Sequence, residues 1–291
     1  MKATLNIIKR NILNYIYDPG SVFFSFLSVF ILIVVYGLFL SNLQVDRIQE
    51  SVGEINGISW LVNSWLVAGL LTVSTFTVPL NILSNMVVDL EKNVFDDFYV
   101  APIKRSSIVF GYALSAFIIG TIMTMLTFLF GEIVVIIQGG EWLSIIDHLK
   151  VLGLISLSSF SFSGLSFFIV SLVKSSSSVA AVNTIVGSII GFFAGIYVPF
   201  SSFSDNFANI MKFNPAAHFV VLFRRVLTSG ALDIVFEEAP VEARNLYENN
   251  YGVRMVWFNN DISIIQIIFY VILLTIVFYV LSLLRMGRFK K

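Results

Sequence analysis

Long apolar runs separated by short polar segments dominate the hydropathy pattern of the chain. A run of about 20 apolar residues is the length that an α-helix needs to cross the hydrocarbon core of a bilayer. Runs of this length occupy residues 21–40, 58–83, 108–137, 149–173, 179–198 and 262–284. The pattern therefore predicts an all-α, polytopic membrane protein with six transmembrane helices.

Two segments outside these spans have patterns of their own. Residues 1–20 place Leu5, Ile8 and Ile12 on one helical face and polar residues on the other, up to a break at Asp18-Pro19-Gly20. This predicts an amphipathic helix that lies in the membrane interface. Residues 199–261 are too polar for a simple span and predict a small external region before the last helix. We therefore divide the chain into an interfacial helix, 1–20, and a six-span domain, 21–291.

The distribution of basic residues gives an expected orientation. The short loops that would lie outside hold only Arg47 and Lys150, whereas the segments on the other side are rich in Lys and Arg. Basic residues concentrate on the cytoplasmic side of membrane proteins. The tryptophans fall at the expected outer boundary: Trp60, Trp65, Trp142 and Trp257. We expect a plasma-membrane protein with both termini in the cytoplasm.

Composition narrows the function classes. Hydrophobic residues make up 57% of the 291 residues and charged residues 12%, with 18 basic residues matched by 18 acidic ones. Zero formal charge argues against a nucleic-acid partner held by bulk electrostatics. The absence of cysteine excludes disulfides and thiolate metal sites. Since no lysine follows a glycine, the chain has no phosphate-binding motif of the G-x-x-x-x-G-K type. We expect a transport subunit rather than an enzyme, with no cofactor or metal of its own.

Residues 84–107, between the second and third spans, form the most informative polar segment. A charged and aromatic amphipathic stretch is followed by Ala101-Pro102 and by a basic pair at the start of the third span. The side chains of interest are Asp89, Glu91, Phe95, Asp96, Asp97, Phe98, Lys104 and Arg105. Phe95 and Phe98 are three residues apart and share a helical face, so they could fill an apolar groove on a partner. The alternative is a solvated loop whose phenylalanines rest on the membrane.

A second ordered pattern follows the fifth span. A polar turn after Pro199 leads to an amphipathic stretch at 207–213, then to Asn214-Pro215, and then to a helix that ends in Arg224-Arg225. The two stretches are too apolar for a loop in water.

Together with the six spans, these segments resemble the permeases of the ABC-2 type transporter family. The opening of the polar segment departs from the family's usual Arg-Glu-x-Gly-Thr and reads Asp-Leu-Glu-Lys-Asn at 89–93. The resemblance implies a half-transporter that pairs with a second permease subunit, identical or homologous. It also implies two copies of a cytoplasmic ABC ATPase that carry the ATP and Mg, with residues 84–107 as the coupling segment. The resemblance further implies that residues 207–225 form a helical hairpin, with Asn214-Pro215 at its tip, that re-enters the outer leaflet.

Several residues within the spans are candidates for packing or for the transport pathway. Gly187, Gly191 and Gly195 lie four apart and let another helix approach closely, either within the chain or from a second subunit. Pathway candidates are Asn63, Thr72, Thr75 and Glu132. For Glu132, the competing interpretation is a carboxylate that a neighbour satisfies at the membrane interface.

The sequence thus favours the permease of an ABC exporter for an amphipathic or hydrophobic cargo, such as a drug, a lipid-like toxin or haemolysin, or a lipid. One alternative is a permease that exports polysaccharide or teichoic acid. The other is an integral membrane protein without a transport function, surrounded by membrane lipids.

Overall fold

The computed structural model of the protein describes residues 2–20, 22–23, 27, 45–46, 55–101 and 103–287. The predicted first span, 21–40, lies outside the described residues except for positions 22, 23 and 27. Pro102, part of the predicted Ala-Pro step, also lies outside them.

Long apolar helices form the body of the described chain. Five of them are long and apolar enough to cross a membrane, and they match the second to sixth predicted spans. They are α2 (Ile58–Glu91), α4 (Arg105–Ile137), α5 (Ile145–Ser171), α6 (Ser176–Phe193) and α11 (Ile264–Gly287). The all-α prediction is confirmed for these elements. The count of six spans stays a prediction.

Backbone geometry sets where two of these helices end. At the end of α2, Asn93 adopts a left-handed φ of 58°, which turns the chain into a short helix, α3 (Val94–Val100). At the end of α6, Gly195 has a φ of 61°, and the amide of Ile196 bonds back to the Gly191 carbonyl at 2.9 Å. The fifth span therefore ends at Phe193, earlier than the predicted residue 198.

Helix α2 is the centre of the bundle. Its apolar stretch is 83% buried, and α4, α5, α6 and the helix α8 (Pro215–Leu227) all pack on it. Hydroxyl pairs join neighbouring spans, among them Ser161 with Thr275 at 2.6 Å and Ser163 with Tyr279 at 2.7 Å, both between α5 and α11. In an apolar medium such bonds specify which helices meet and in what register.

The N-terminal helix is confirmed as α1 (Lys2–Ile16), and it packs along the first turns of α4. Ile7 is buried so closely against Gly111 that no Cβ fits there. Asn11 donates to the Ser115 hydroxyl at 3.0 Å. Helix α1 and α3 mark one end of the bundle, which we call the α3 end.

Short helices and a β-hairpin form the opposite end. They are α7 (Asp205–Met211), α8, α9 (Ser229–Val235), α10 (Val241–Asn250), β1 (Met255–Trp257) and β2 (Asn260–Ile262). The strands are antiparallel, with Trp257 opposite Asn260. Phe258 and Asn259 both have positive φ, as a two-residue turn requires. We call this the α10 end, and all four tryptophans lie there, next to elements of this end.

The contacts of Arg224 hold the α10 end against the helix bundle. Its guanidinium is fully buried and lies 4.0 Å from the centre of the Trp65 ring on α2. It donates to the carbonyls of Gly195 at 2.9 Å and Tyr251 at 3.0 Å. The Trp65 indole N–H donates to the same Tyr251 carbonyl at 2.6 Å. Burial lowers the pKa of Arg224. Two backbone carbonyls and the aromatic face of Trp65, rather than a carboxylate, stabilise the cation.

We expect Arg224→Lys to destabilise the protein strongly. A lysine cannot stack on Trp65 and bond both carbonyls at once, so a loss of about 2–3 kcal/mol in the free energy of unfolding is expected. Arg244→Lys is the matched control, because Arg244 sits in half-exposed ion pairs. Unfolding of the purified protein in detergent, followed by tryptophan fluorescence, measures both. Equal stability of the two variants would contradict this role of Arg224.

Candidate functional site

Helix α2 is largely buried, but near the α3 end two of its asparagines are exposed. Between Ile58 and Leu90, the exposed residues of this helix are Asn81 and Asn85, one turn apart. On the neighbouring helix α6, the side-chain amide of Asn183 donates to the Asn81 oxygen at 3.0 Å and to the Ser84 hydroxyl at 2.9 Å. These carboxamides form an uncharged polar surface, which we call the α2–α6 face.

Helix α6 is the most open of the apolar helices that the structure describes. Only 17% of its apolar stretch is buried. Its exposed residues mix small, polar and apolar types: Ser176, Ser177, Ser178, Ala180, Ala181, Thr184, Ile185, Ser188, Ile189 and Phe192. The hydroxyls of Thr184 and Ser188 bond back to carbonyls of their own helix, which lowers the cost of placing them in an apolar medium.

The exposed surface of helix α11 differs in character from that of helix α6. Helix α11 is also poorly covered, with 28% of its apolar stretch buried. After Gln266, however, each residue that it exposes is apolar, from Phe269 to Leu284. Such a surface suits lipid, whereas exposed amides within a span suit a protein partner or a water-filled cavity. The α2–α6 face is therefore the candidate functional surface.

The glycine row on α6 divides into two environments. A Cβ added at Gly187 would meet nothing within 4 Å, so this position is open toward the α2–α6 side of the molecule. A Cβ at Gly191 would collide with the Tyr197 ring, and one at Gly195 would press on Phe200. Gly191 and Gly195 thus serve packing within the chain, and Gly187 remains available to a second subunit.

The predicted pathway residues of α2 do not reach the surface. Asn63, Thr72 and Thr75 are all buried. Each bonds to a carbonyl of its own helix, Asn63 to Ser59, Thr72 to Ala68 and Thr75 to Thr72. Within the described residues these side chains therefore satisfy their own hydrogen bonds and line no accessible path.

Glu132 is a buried carboxylate with partners. Its oxygens accept from the Leu143 amide at 3.2 Å and lie 3.0 Å from His148 Nε2. His148 Nδ1 lies 3.0 Å from the Ser144 carbonyl, which can only accept, so Nδ1 carries a hydrogen. The contact between His148 and Glu132 therefore contains one shared proton. This geometry agrees with the satisfied-carboxylate interpretation, and it fixes the connection between α4 and α5.

The structure corrects the expected exposure of Phe95 on α3. Phe95 is 2% exposed and stacks on Tyr112 of α4, with ring centroids 5.8 Å apart. Phe98 is half-buried and meets Phe95 edge to face. The two rings do share a face, as predicted, but this face turns into the chain rather than toward a partner, because α1 and α4 offer an apolar surface beside it.

Two acidic residues of the predicted coupling set are also engaged within the chain. Asp89 pairs with Arg10 of α1 through both oxygens, at 2.8 and 2.9 Å, and accepts from the Tyr112 hydroxyl at 2.5 Å. Burial alone would lower the pKa of Arg10, but its bonds to Tyr112 and Asp89 raise it. Glu91 accepts from the Ser176 amide at 2.8 Å, in the first turn of α6.

What α3 does expose is a small mixed surface. Asp96, Asp97 and Lys104 are exposed, and Val100 is 89% exposed at the end of the helix. Arg105, the last of the predicted coupling residues, begins α4 and is partly buried. An apolar side chain beside carboxylates is a typical centre for a protein contact. We call Asp96, Asp97 and Val100 the α3 surface.

The two stretches on either side of Asn214-Pro215 form helices α7 and α8, and their arrangement as a re-entrant hairpin stays a prediction. Asn214 caps α8 by accepting from the Ala216 amide at 2.9 Å, and Pro215 occupies the first helical position. Arg225 donates to the Val253 carbonyl at 2.9 Å. Buried His218 bonds to the Lys212 carbonyl, and burial lowers the pKa of His218 to about 4, so its ring is neutral.

Candidate metal ligands are scarce in the part of the chain that the structure describes. No group of three or more His, Cys, Asp or Glu side chains there could hold a metal ion.

These features describe a multi-pass membrane protein with a poorly covered polar face between two spans and an amphipathic helix at one end. Comparison with protein families gives a match to the ABC-2 type transporter family over residues 2–228, most of the chain. The chain belongs to this family. No curated protein matches it significantly. The matched region ends just after α8, so α9, α10 and the β-hairpin lie beyond it.

Sequence reasoning missed the residues that distinguish the site. Asn81 and Asn85 are spaced four apart in the tail of an apolar run, a signal that could have been found. Asn183 could have been noticed as the one amide of the fifth span. The pairing of Arg10 with Asp89 could not have been predicted from the sequence, because these residues are 79 positions apart.

The two glycine environments predict opposite effects of added methyl groups. Gly191→Ala places a Cβ into the Tyr197 ring and should destabilise the protein by about 1–3 kcal/mol. Gly187→Ala meets open space and should leave stability unchanged or raise it by up to about 1 kcal/mol, since alanine favours helix. Thermal unfolding in detergent compares them. The reverse order would show that α6 is rotated from the orientation described.

For Glu132, the predicted outcome depends on the substitute. In Glu132→Gln the amide can donate to His148 and its oxygen can still accept from Leu143, so stability and transport should stay near the wild type. Glu132→Ala loses both bonds and should cost about 1–3 kcal/mol in unfolding free energy. Denaturant unfolding and a transport assay separate the cases. Loss of transport in a stable Glu132→Gln variant would instead assign the carboxylate a role in gating or substrate binding.

Proposed function

We propose that this chain is the permease subunit of an ABC exporter that moves an amphipathic or hydrophobic cargo across the plasma membrane. Its family membership supports a transport role, and the α2–α6 face is the structural feature that supports it further. Polar amides exposed beside an uncovered apolar helix require a second protein surface or a cavity. In the proposal a second permease subunit covers part of this face, and the cargo passes along the rest.

The chemistry of the face bears on the cargo. Ile185, Ile189 and Phe192 of α6 offer apolar contact, and Asn81 and Asn85 of α2 offer uncharged hydrogen-bonding groups. This combination supports an amphipathic cargo such as a drug, a lipid-like toxin or a lipid. The same carboxamides favour the alternative of a polysaccharide or teichoic-acid cargo, because sugars need hydrogen-bonding partners along their path.

The proposed orientation places the α3 end in the cytoplasm together with both termini. Lys104 and Lys174 lie at this end, and the tryptophans lie at the other, where an aromatic belt meets the outer interface. Helices α7 and α8 would then form the hairpin that re-enters the outer leaflet. Its support is the burial of α8 against α2 and α5, which covers the helix from Pro215 to Arg224.

The ATPase that drives transport would be a separate chain, present in two copies and carrying the ATP and Mg. We propose that it docks on the α3 surface. Phe95 anchors α3 from inside, and Val100 presents the apolar side chain that a groove on the partner can take up. The inner aromatic pair thus positions the docking helix instead of filling the partner's groove.

The test is Val100→Asp in the full chain, expressed in its native host so that its own ABC ATPase can co-purify with it. A central apolar anchor typically contributes about 2 kcal/mol or more to an interface, and a buried carboxylate costs more still. We therefore expect co-purification of the ATPase to fall at least tenfold, and substrate-stimulated ATP hydrolysis to fall with it.

Two variants serve as controls for this test. Asp96→Asn should have a mild effect, since a rim charge chiefly alters the association rate. Phe95→Ala should lower the unfolding temperature of the permease itself, which Val100→Asp should not. Unchanged ATPase association in Val100→Asp would move the docking surface to another part of the α3 end. Absence of any ATPase with the wild-type chain would reject the exporter itself.

A further inference from the structure

An open cleft of about 530 Å³ lies at the α10 end, between α10, the β-hairpin and the beginning of α11. It is distant from the α2–α6 face and from the α3 surface. Charged side chains dominate its walls: Arg225, Arg244, Glu248, Arg254 and Asp261.

Most charges in this cleft are already neutralised by neighbours. Glu248 accepts from the Nε atoms of both Arg244 and Arg254, each at 3.0 Å. Arg244 also pairs with Asp233 at 2.9 Å. These contacts leave Arg244 fully engaged by carboxylates, so it has little capacity for a ligand.

Arg225 and Asp261 are the exceptions. Arg225 is half-buried, and in the described part of the chain no carboxylate lies within 4.0 Å of its guanidinium nitrogens; its Nε bonds only to the Val253 carbonyl. Burial lowers the pKa of Arg225, while the charge of Asp261 raises it, that of Arg254 lowers it and that of Glu248 raises it. Asp261 is exposed, and its nearest cation is Arg254 at 3.9 Å. Arg225 and Asp261 therefore attract each other across the cleft without a direct ion pair between them.

The wall of the cleft continues into an apolar helix. Helix α11 starts at Ile264 on the cleft wall and continues directly into a span. Just below the cleft, Ile265 is 80% and Phe269 is 69% exposed. A molecule with its charged group in the cleft could thus lay apolar chains along α11, at the depth where headgroups meet acyl chains.

We propose that this cleft binds the headgroup of a zwitterionic glycerophospholipid, with the phosphate at Arg225 and the ammonium at Asp261. Arginine donates two parallel N–H bonds to phosphate oxygens, which makes it the preferred residue for this group. Because the remaining charges balance one another, a headgroup with no net charge fits better than an anionic one. The proposal rests on the cleft and on the membrane location, and it is independent of the export function.

The experiment uses the purified full chain in detergent and native mass spectrometry. The probes are phosphatidylethanolamine, phosphatidylglycerol and diacylglycerol with identical acyl chains, and inorganic phosphate as a competitor. We expect phosphatidylethanolamine to bind at least tenfold more tightly than diacylglycerol, and inorganic phosphate at millimolar concentration not to displace it.

Matched variants assign the contacts. Arg225→Gln should weaken phosphatidylethanolamine binding at least fivefold, whereas Lys150→Gln, an exposed cation at the same end, should leave it within twofold. Asp261→Asn should remove the preference for phosphatidylethanolamine over phosphatidylglycerol while keeping both above diacylglycerol. Thermal unfolding of each variant shows whether it is folded, and Asp261→Asn tests the site even if Arg225→Gln is unstable.

Three results would overturn the proposal. Equal binding of diacylglycerol would show that only the acyl chains are held. Displacement by inorganic phosphate would show a site for the free anion. Unchanged lipid binding in a folded Arg225→Gln variant would show that Arg225 merely turns toward Asp261 and pairs with it.

Discussion

The bilayer offers no hydrogen-bond partner to a polar side chain, and the organisation of this protein depends on that constraint. Most polar side chains of the described spans satisfy themselves within the chain. Thr72 and Thr75 bond to their own helix, Ser161 bonds across to α11, and Glu132 shares a proton with His148. Against this background, the exposed amide of Asn81 within the predicted second span stands apart, and it supports the proposal that a protein or a water-filled cavity covers the α2–α6 face.

Helix α2 connects the two ends of the molecule through a single rigid element. Near one end, Trp65 lies against Arg224 and holds the short helices of the α10 end; near the other, Asp89 holds Arg10 of α1. Arg224 is fully buried, whereas the side chain of Arg10 is 31% exposed, and each makes several hydrogen bonds. Losing the contacts of Arg224 would leave a buried cation without partners, which costs on the order of several kcal/mol.

Periodicity and apolar length predicted the elements of the fold well, because both are local properties. Five of the spans, the N-terminal helix and the helices on either side of Asn214-Pro215 appear where the sequence placed them. The candidate site was predicted less well. Which face of α3 turns inward depends on Tyr112, and whether Asp89 is free depends on Arg10, and both partners are distant in sequence. Likewise, Gly187 and Gly191 look equivalent in a helical pattern, and only the return of Tyr197 makes them different.

Short connections join the α3 surface to the α2–α6 face. Between α2 and α3 the chain makes only the turn at Lys92 and Asn93, so α3 cannot move far without α2. Glu91, the last residue of α2, holds the amide of Ser176 in the first turn of α6. A displacement of the α3 surface would therefore act on both helices of the α2–α6 face through these short connections. Since the Asn183 amide bridges these helices about two turns further along, a relative shift of α2 and α6 would break or remake contacts of the polar face itself.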